Sequence, residues 1–99
     1  MQHIKVDPQL VEATALRIDE QNQEYQRAYA TLFSAVDTMR SAWQGKDNTA
    51  FSNRIGKFEG DFKELSVLCT QYSEFLRSSA RAYREMQNDL AAQANNLVQ

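Results

Sequence analysis

The most regular feature of the sequence is a run of apolar residues in its second half, spaced alternately four and three positions apart. The series comprises Phe51, Ile55, Phe58, Phe62, Leu65, Cys69, Tyr72, Leu76, Ser79, Tyr83, Met86 and Leu90. Because this spacing averages 3.5 residues, it places the series along one side of an α-helix with a gentle left-handed supercoil. It predicts a helix over about residues 48–92, followed by a flexible tail to residue 99.

The first half of the chain carries a weaker seven-residue repeat, at Val11, Ile18, Tyr25, Leu32 and Met39. It predicts a helix over about residues 8–43. Asp7 can accept hydrogen bonds from the first free backbone amides, and Pro8 suits the first helical position. Gly45 can take the left-handed conformation that ends many helices, and Asp47 or Asn48 can cap the next one. A turn of about residues 44–47 is short enough to make the two helices antiparallel.

Two helices cover only one stripe of each other, and the pattern leaves further apolar residues on both. Tyr29 and Val36 widen the apolar side of the first helix, while Leu68 and Phe75 lie beside the main series of the second. Together they would form an exposed patch of the size that marks an interaction surface. We expect a second hairpin to pack there, giving an all-α four-helix bundle. The expected partner is a second copy of the chain or a related helical hairpin.

Length, composition and charge agree with a single helical domain over residues 1–99. One proline and three glycines are too few for a β-sandwich or barrel. No stretch approaches the roughly 18 apolar residues of a membrane helix, so stable membrane insertion is not expected. The net charge of −2 does not suggest nucleic acid binding, and the basic strip Arg77, Arg81 and Arg84 is interpreted as a solvated face. The first residues lack the apolar segment of a conventional signal peptide.

The residue inventory does not support an enzyme. The only histidine, His3, precedes the first helix, and the only cysteine, Cys69, lies within the apolar series, where an inert thiol is expected. Without a histidine on either helix, no Cys-His pair, serine triad or di-metal bundle site can be assembled. We therefore predict no catalytic residue, no metal site and no cofactor.

The triplet Trp43-Gln44-Gly45 lies near the middle of the chain, at the only predicted helix break. Such a triplet, central in a helix–turn–helix chain of about a hundred residues, resembles the WxG family. These ESAT-like proteins are exported by the type VII (ESX) secretion system of Gram-positive and actinobacterial cells. The resemblance implies a secreted, extracellular hairpin that dimerises, acts through protein–protein interaction and contributes to virulence. Trp43 is expected to pack across the hairpin tip.

The resemblance also directs attention to the end of the second helix. Many family members carry an export element there, in which a tyrosine is followed four residues later by an acid. Tyr83 occupies the tyrosine position, but Gln87 stands where the acid is expected, and Leu90 continues the same face. Either glutamine suffices or a partner supplies the acidic signal. The alternative function is an adaptor or chaperone that pairs with a larger type VII effector.

Overall fold

The protein forms a long antiparallel hairpin of two helices, α1 at Pro8–Arg40 and α2 at Gly45–Val98. This computed structural model describes residues 5–43 and 45–98, so His3, Gln44 and Gln99 lie outside the described residues. The hairpin is 82 Å in its longest dimension, and its radius of gyration is 23.0 Å. A compact domain of this length would have a radius of gyration of about 13 Å. The predicted all-α hairpin is confirmed, with no strand among the residues described.

The start of α1 follows the capping signal in the sequence. The Asp7 carboxylate accepts hydrogen bonds from the backbone amides of Gln9, at 3.0 Å, and Leu10, at 3.4 Å. Pro8 occupies the first helical position, where its missing amide hydrogen leaves no bond unmade. The structure thus begins α1 at the residue where the sequence signals placed the start of the helix.

The first helix ends at Arg40, so the expectation that it continues to about residue 43 is wrong. The amides of Ala42 and Trp43 donate to carbonyl oxygens only three residues back, those of Met39 and Arg40. This tighter bonding closes the last turn and satisfies carbonyl groups that the helix itself leaves free. The described residues 41–43 therefore lie between the helices, whereas residues 45–47 of the predicted turn belong to α2. The predicted left-handed conformation of Gly45 is confirmed by its φ of 69°.

The second helix is longer at both ends than the predicted 48–92. Because α2 begins at Gly45, Asp47 lies in its first turn, and Asn48 does not cap it. The Asn48 side-chain amide instead donates to the Trp43 carbonyl at 3.2 Å. At the other end the helix continues to Val98, since residues 91–98 contain no proline or glycine and several good helix formers. Residues 89–98, which we call the overhang, extend beyond the start of α1.

The contact between the helices uses only half of the apolar series on α2. One row facing α1 belongs to that series, and comprises Ile55, Phe62, Cys69, Leu76 and Tyr83. The other is a row of mostly small residues, Ser52, Glu59, Ser66, Ser73 and Ala80. The other members of the apolar series that lie on the same side of the helix, Phe58, Leu65, Tyr72 and Met86, stay exposed. Small side chains let the helices approach closely and bond across the seam, so α2 turns the second row toward α1.

Apolar packing in the seam is concentrated in the half near the tip. Phe33 is buried, and its ring lies 5.5 Å from that of Phe62, centroid to centroid. Tyr25 stacks on Phe62 at 5.9 Å, and Tyr29 joins the cluster at 6.1 Å from Phe62. Edge-to-face and offset pairs of this kind add about 0.5–1.5 kcal/mol each beyond their buried area. This aromatic cluster joins the middle of α1 to the part of α2 nearer the tip.

Beyond the aromatic cluster, toward the chain termini, polar contacts run alongside buried apolar residues such as Ala15 and Ala80. Buried Asn22 donates to the Ser66 carbonyl at 3.1 Å and to the Thr70 hydroxyl at 3.2 Å, and accepts from the Ser66 hydroxyl at 2.8 Å. Gln26 also donates to the Ser66 hydroxyl, at 2.6 Å. In the described part of the chain, no buried side-chain nitrogen or oxygen lacks a partner. A satisfied network of this kind fixes which residues lie opposite one another, because slipping the helices would strand buried polar groups.

Two ion pairs continue this polar line toward the open end of the hairpin. Asp19 accepts from the Ser73 hydroxyl at 2.6 Å and pairs with Arg77, while Glu12 pairs with Arg84. The interpretation of Arg77 and Arg84 as part of a solvated basic strip is therefore wrong. Each of these arginines has an acidic residue of α1 opposite it across the seam. The hydrogen bond from Ser73 and the bond and charge of Arg77 lower the pKa of the Asp19 carboxyl.

Replacing Asp19 by asparagine should destabilise the hairpin at neutral pH and have little effect in acid. Because the folded pKa lies below the unfolded value of about 3.9, the carboxylate stabilises the fold above that pH. Its contribution disappears as the pH falls through the folded pKa. For a partly exposed pair we expect a loss of up to about 1 kcal/mol at pH 7. Urea denaturation at about pH 7 and about pH 2.5 measures it.

Glu20→Gln supplies the matched control, because Glu20 is an exposed neighbour without a described cross-hairpin partner. Its free energy of unfolding should differ little from that of the unsubstituted chain at either pH. An Asp19→Asn variant that is equally destabilised at both pH values would contradict the assigned charge interaction.

Candidate interaction surface

The two sides of the hairpin differ sharply in polarity. One carries the cross-hairpin hydrogen bonds and ion pairs, in a groove lined by Asp19, Asn22, Gln23, Gln26, Thr70, Ser73, Glu74 and Arg77. The other side holds a groove lined by Ile18, Gln21, Asn22, Tyr25, Leu65 and Cys69, and nearly all of its accessible surface is apolar. Tyr25 continues into a second groove with Ala28, Tyr29, Leu32 and Phe62. Water therefore contacts an apolar strip along one side only.

Exposed apolar side chains border this strip on both helices, and we call the whole surface the open face. Its large members are Leu32, Met39, Phe58, Leu65, Leu68, Tyr72, Phe75 and Met86. Each of them keeps between 48% and 63% of its surface accessible. Ala28, Ala35 and Ala42, also exposed, lie on the α1 part of the face and leave room for a close neighbour. A contiguous apolar surface of this length is typical of a protein interface.

The structure divides the four residues that were predicted to form the dimer face. Leu68 and Phe75 are exposed on α2, as that interpretation requires. Tyr29 and Val36 are half-buried, and Tyr29 packs against Phe33 and Phe62 inside the hairpin. Tyr29 thus lines a groove of the open face but turns part of its ring inward, toward Phe62. The exposed part of the face on α1 is formed by Leu32 and Met39, which lie three residues after Tyr29 and Val36 respectively.

Tyr25 forms the floor of the open face and joins it to the seam. Its hydroxyl donates to the Phe62 carbonyl at 3.1 Å. Desolvation raises the pKa of the Tyr25 phenol, and the neighbouring Tyr29 and Cys69 add to the effect. A tyrosine is already neutral near pH 7 at its ordinary pKa, and the shift keeps it neutral to a higher pH, so the floor of the groove is uncharged. Cys69 lies beside it as a half-buried free thiol.

Trp43 and Gly45 lie at the hairpin tip. The Trp43 ring lies 4.5 Å from the Phe51 ring, centroid to centroid, and 40% of its surface is exposed. Asp47, Ala50 and Arg54 complete a shallow pocket around the two rings. Trp43 thus joins the linker to the first turns of α2, and its ring remains accessible from outside.

Tyr83, Gln87 and Leu90 all lie on α2, at the end of the hairpin far from Trp43. Tyr83 is half-buried opposite the start of α1, whereas Gln87 and Leu90 are exposed. Leu90 belongs to the overhang, where every side chain described is exposed. The structure therefore presents the tip and the overhang as two accessible ends, separated by the length of the hairpin.

Two other kinds of site are absent from the part of the chain that the structure describes. Among the described residues, no group of three histidine, cysteine or acidic side chains is placed to hold a metal ion. Neither helix, over the residues described, is long and apolar enough to cross a membrane. The open face is thus the main candidate site that the described residues present.

Comparisons with known proteins agree with this architecture. Residues 3–88 match the family described as "WXG100: Proteins of 100 residues with WXG". The chain is 27% identical over 88 residues to the ESAT-6-like protein EsxB of Corynebacterium diphtheriae, covering 89% of this chain and 84% of that protein. The crystal structure of EsxA from Geobacillus thermodenitrificans superposes with a TM-score of 0.72 at 19% identity, covering 90% of this chain and 97% of EsxA.

The family match includes both helices through residue 88 and the tip that joins them. The similarity to EsxA supports the same hairpin fold independently of close sequence identity. The overhang lies beyond the matched residues. On these grounds the chain belongs to the WXG100 family, whose ESAT-like members are proteins secreted through type VII systems.

Proposed function

We propose that this protein is a non-enzymatic substrate of type VII secretion that leaves the cell and acts as a homodimer through protein–protein contacts. The open face is the observation that carries the proposal. Eight large apolar side chains stay about half exposed along one side of the hairpin. At roughly 25 cal/mol for each Å² of apolar surface removed from water, covering them would stabilise a complex strongly.

A second copy of the chain suits this face in both shape and chemistry. The face is nearly straight along the hairpin, and the small Ala28, Ala35 and Ala42 allow another helix to approach closely. Pairing two such faces gives a four-helix bundle in which the polar side of each hairpin stays in water. Family membership supports the dimer, since ESAT-like proteins typically form dimers of helical hairpins.

The two accessible ends of the hairpin support the export part of the proposal. We assign Trp43 at the tip, and Tyr83, Gln87 and Leu90 near the overhang, as the surfaces that the type VII machinery contacts. Gln87 lacks the charge of the acid found there in many family members. The exposed overhang gives the machinery a helical segment that it can bind without disturbing the seam. A contribution to virulence forms part of the same proposal and is supported by family membership.

An adaptor for a larger exported effector is the second candidate, and the missing acid at Gln87 is the observation that favours it. An adaptor would present the same open face to a helical region of the effector. It would then be monomeric alone and would leave the cell only with its partner. The homodimer is preferred because the face extends over both helices, as the pairing of two hairpins requires.

Leu68→Glu should convert the dimer to a monomer, because it would bury two carboxylates in the centre of the apolar interface. Val67→Glu is the matched control. Val67 is 54% exposed and Leu68 is 52% exposed, but Val67 lies off the open face. Sedimentation velocity should show a monomer for the first variant and a dimer for the second. Equal behaviour of the two variants would contradict the assigned face.

Trp43→Ala should reduce secretion several-fold while leaving helicity almost unchanged, because it removes the exposed ring at the tip but no contact along the seam. The assay compares protein in the medium with protein in cells, in a host with an active type VII system and in one whose secretion ATPase is inactivated. The unsubstituted chain should reach the medium only in the first host. Leu16→Ala removes another exposed apolar side chain of α1 and should not change secretion.

Export that is independent of the type VII ATPase would overturn the proposed export route. Export that depends on the ATPase but not on Trp43 would instead remove the tip from the recognised surface. Circular dichroism of the purified variants separates either result from loss of the fold.

A further inference from the structure

Two exposed charges near opposite ends of α2 have no ion-pair partner within the described hairpin. They are Arg54, close to the tip, and Asp89, where the overhang begins. Both belong to a row spaced seven residues apart, which comprises Arg54, Asp61, Leu68, Phe75, Ala82 and Asp89. Because Leu68 and Phe75 lie on the open face, the helical repeat places both charges along its border.

A second copy can pack on the open face with its tip at the same end or at the opposite end. If the tips coincide, α2 of one copy lies against α1 of the other. The α1 row on that side comprises Thr14, Gln21, Ala28, Ala35 and Ala42, and offers no charge. If the tips are at opposite ends, α2 lies antiparallel to α2. Only the second arrangement can bring Arg54 of one copy near Asp61 or Asp89 of the other copy.

The antiparallel arrangement has one register that pairs the charges. A two-fold axis at the midpoint of Gly45–Val98 places Leu68 of each copy against Phe75 of the other. The same axis places Arg54 of each copy against Asp89 of the other. It also overlaps the two copies of α2 over their full length, so each overhang covers the first turns of the other α2.

Neighbouring registers leave the charges unpaired or opposed. With this axis, Asp61 lies opposite the small side chain of Ala82. If the axis moves toward the tip by half of the seven-residue repeat, Asp61 of one copy lies against Phe75 of the other. Moving it the same distance the other way sets Asp61 against Asp89. Like charges directly opposite one another, and a carboxylate buried against an aromatic ring, both destabilise an interface.

We propose that two Arg54–Asp89 ion pairs, one at each end, set the antiparallel register of the homodimer and favour self-pairing over pairing with another hairpin. The inference rests on the proposed homodimer and adds to it the residues that determine orientation and specificity. The apolar centre supplies most of the affinity, while the flanking charges select the arrangement. The hairpin is long enough for such a face to exceed the roughly 800 Å² that each partner of a stable complex buries.

Charge reversal tests the pairing directly. Arg54→Glu alone sets two carboxylates against each other at both ends of the dimer, and Asp89→Arg alone sets two guanidinium groups against each other. Each variant should dimerise at least about tenfold more weakly than the unsubstituted chain. A mixture of the two variants allows a heterodimer in which neither end holds two like charges. At one end the introduced glutamate faces the introduced arginine, and at the other end the native Asp89 faces the native Arg54. Native mass spectrometry of the mixture should therefore show heterodimer well above the share that random pairing gives, and the double variant should dimerise with itself again.

Arg81→Glu and Glu74→Arg form the control pair. They make the same kinds of charge change, but both residues are exposed in the row of Val67, off the open face and at least two helical turns from Arg54 and Asp89. Their mixture should give the statistical share of heterodimer. High salt should reduce the preference in the first mixture, because screening weakens exposed pairs.

The outcomes separate this inference from the proposed function. A dimeric unsubstituted chain whose Arg54→Glu and Asp89→Arg variants pair at random would overturn the register but leave the homodimer intact. A monomeric unsubstituted chain would overturn the homodimer and the register together. Heterodimer enrichment in the control mixture as well would show a general charge effect and would also contradict the assigned pairs.

Discussion

The organisation of this protein depends on one geometric constraint, that two helices packed as a pair can bury only one side of each other. In the described chain the fully apolar part of that buried side is small, comprising Ala15, Phe33 and Ala80. Much of the remaining seam is held by hydrogen bonds and ion pairs. Such bonds each contribute modestly but are costly to break when buried, so they specify the pairing of the helices more than they stabilise it. The larger apolar side chains are left for an external contact.

The difference in polarity between the two sides of the hairpin follows from this constraint. Polar residues close the hairpin, and Asn22 and Asp19 fix which residues of α2 lie opposite α1. Apolar residues on the other side stay exposed in a continuous strip. The row of mostly small residues on α2 is responsible for both features. Ser66 and Ser73 let the helices approach closely, and with that row facing α1, Leu65 and Tyr72 lie outside the seam. A secreted hairpin that associates with another hairpin is consistent with this arrangement.

Much of the fold could be predicted from the sequence, because long helices with a regular apolar repeat leave few alternatives. The start at Pro8, the antiparallel hairpin and the left-handed Gly45 all followed from local signals. The ends of the helices did not, since Arg40 and Val98 depend on hydrogen bonds in the linker and on weak propensities near the terminus. The repeat also did not show which half of the apolar series faces α1, because a stripe of apolar residues does not distinguish an internal partner from an external one.

The polar seam was missed for a related reason. Arg77 and Arg84 were interpreted as solvated because nothing in the local sequence shows that Asp19 and Glu12 lie opposite them. The signal that would have found them is the matching spacing of the charges, since Glu12 and Asp19 on α1 and Arg77 and Arg84 on α2 are each seven residues apart. Using it also requires knowing which residues of the two helices lie opposite one another. The assignment of Leu68 and Phe75 to an exposed face did not depend on those details.

The central claim is that a second copy of the chain covers the open face, and the molar mass in solution tests it most directly. Light scattering coupled to size-exclusion chromatography should give a value close to twice the chain's 11.4 kDa, and the value should persist on dilution. A mass of one chain at all concentrations would contradict the claim, since the apolar strip would then remain open for a different partner.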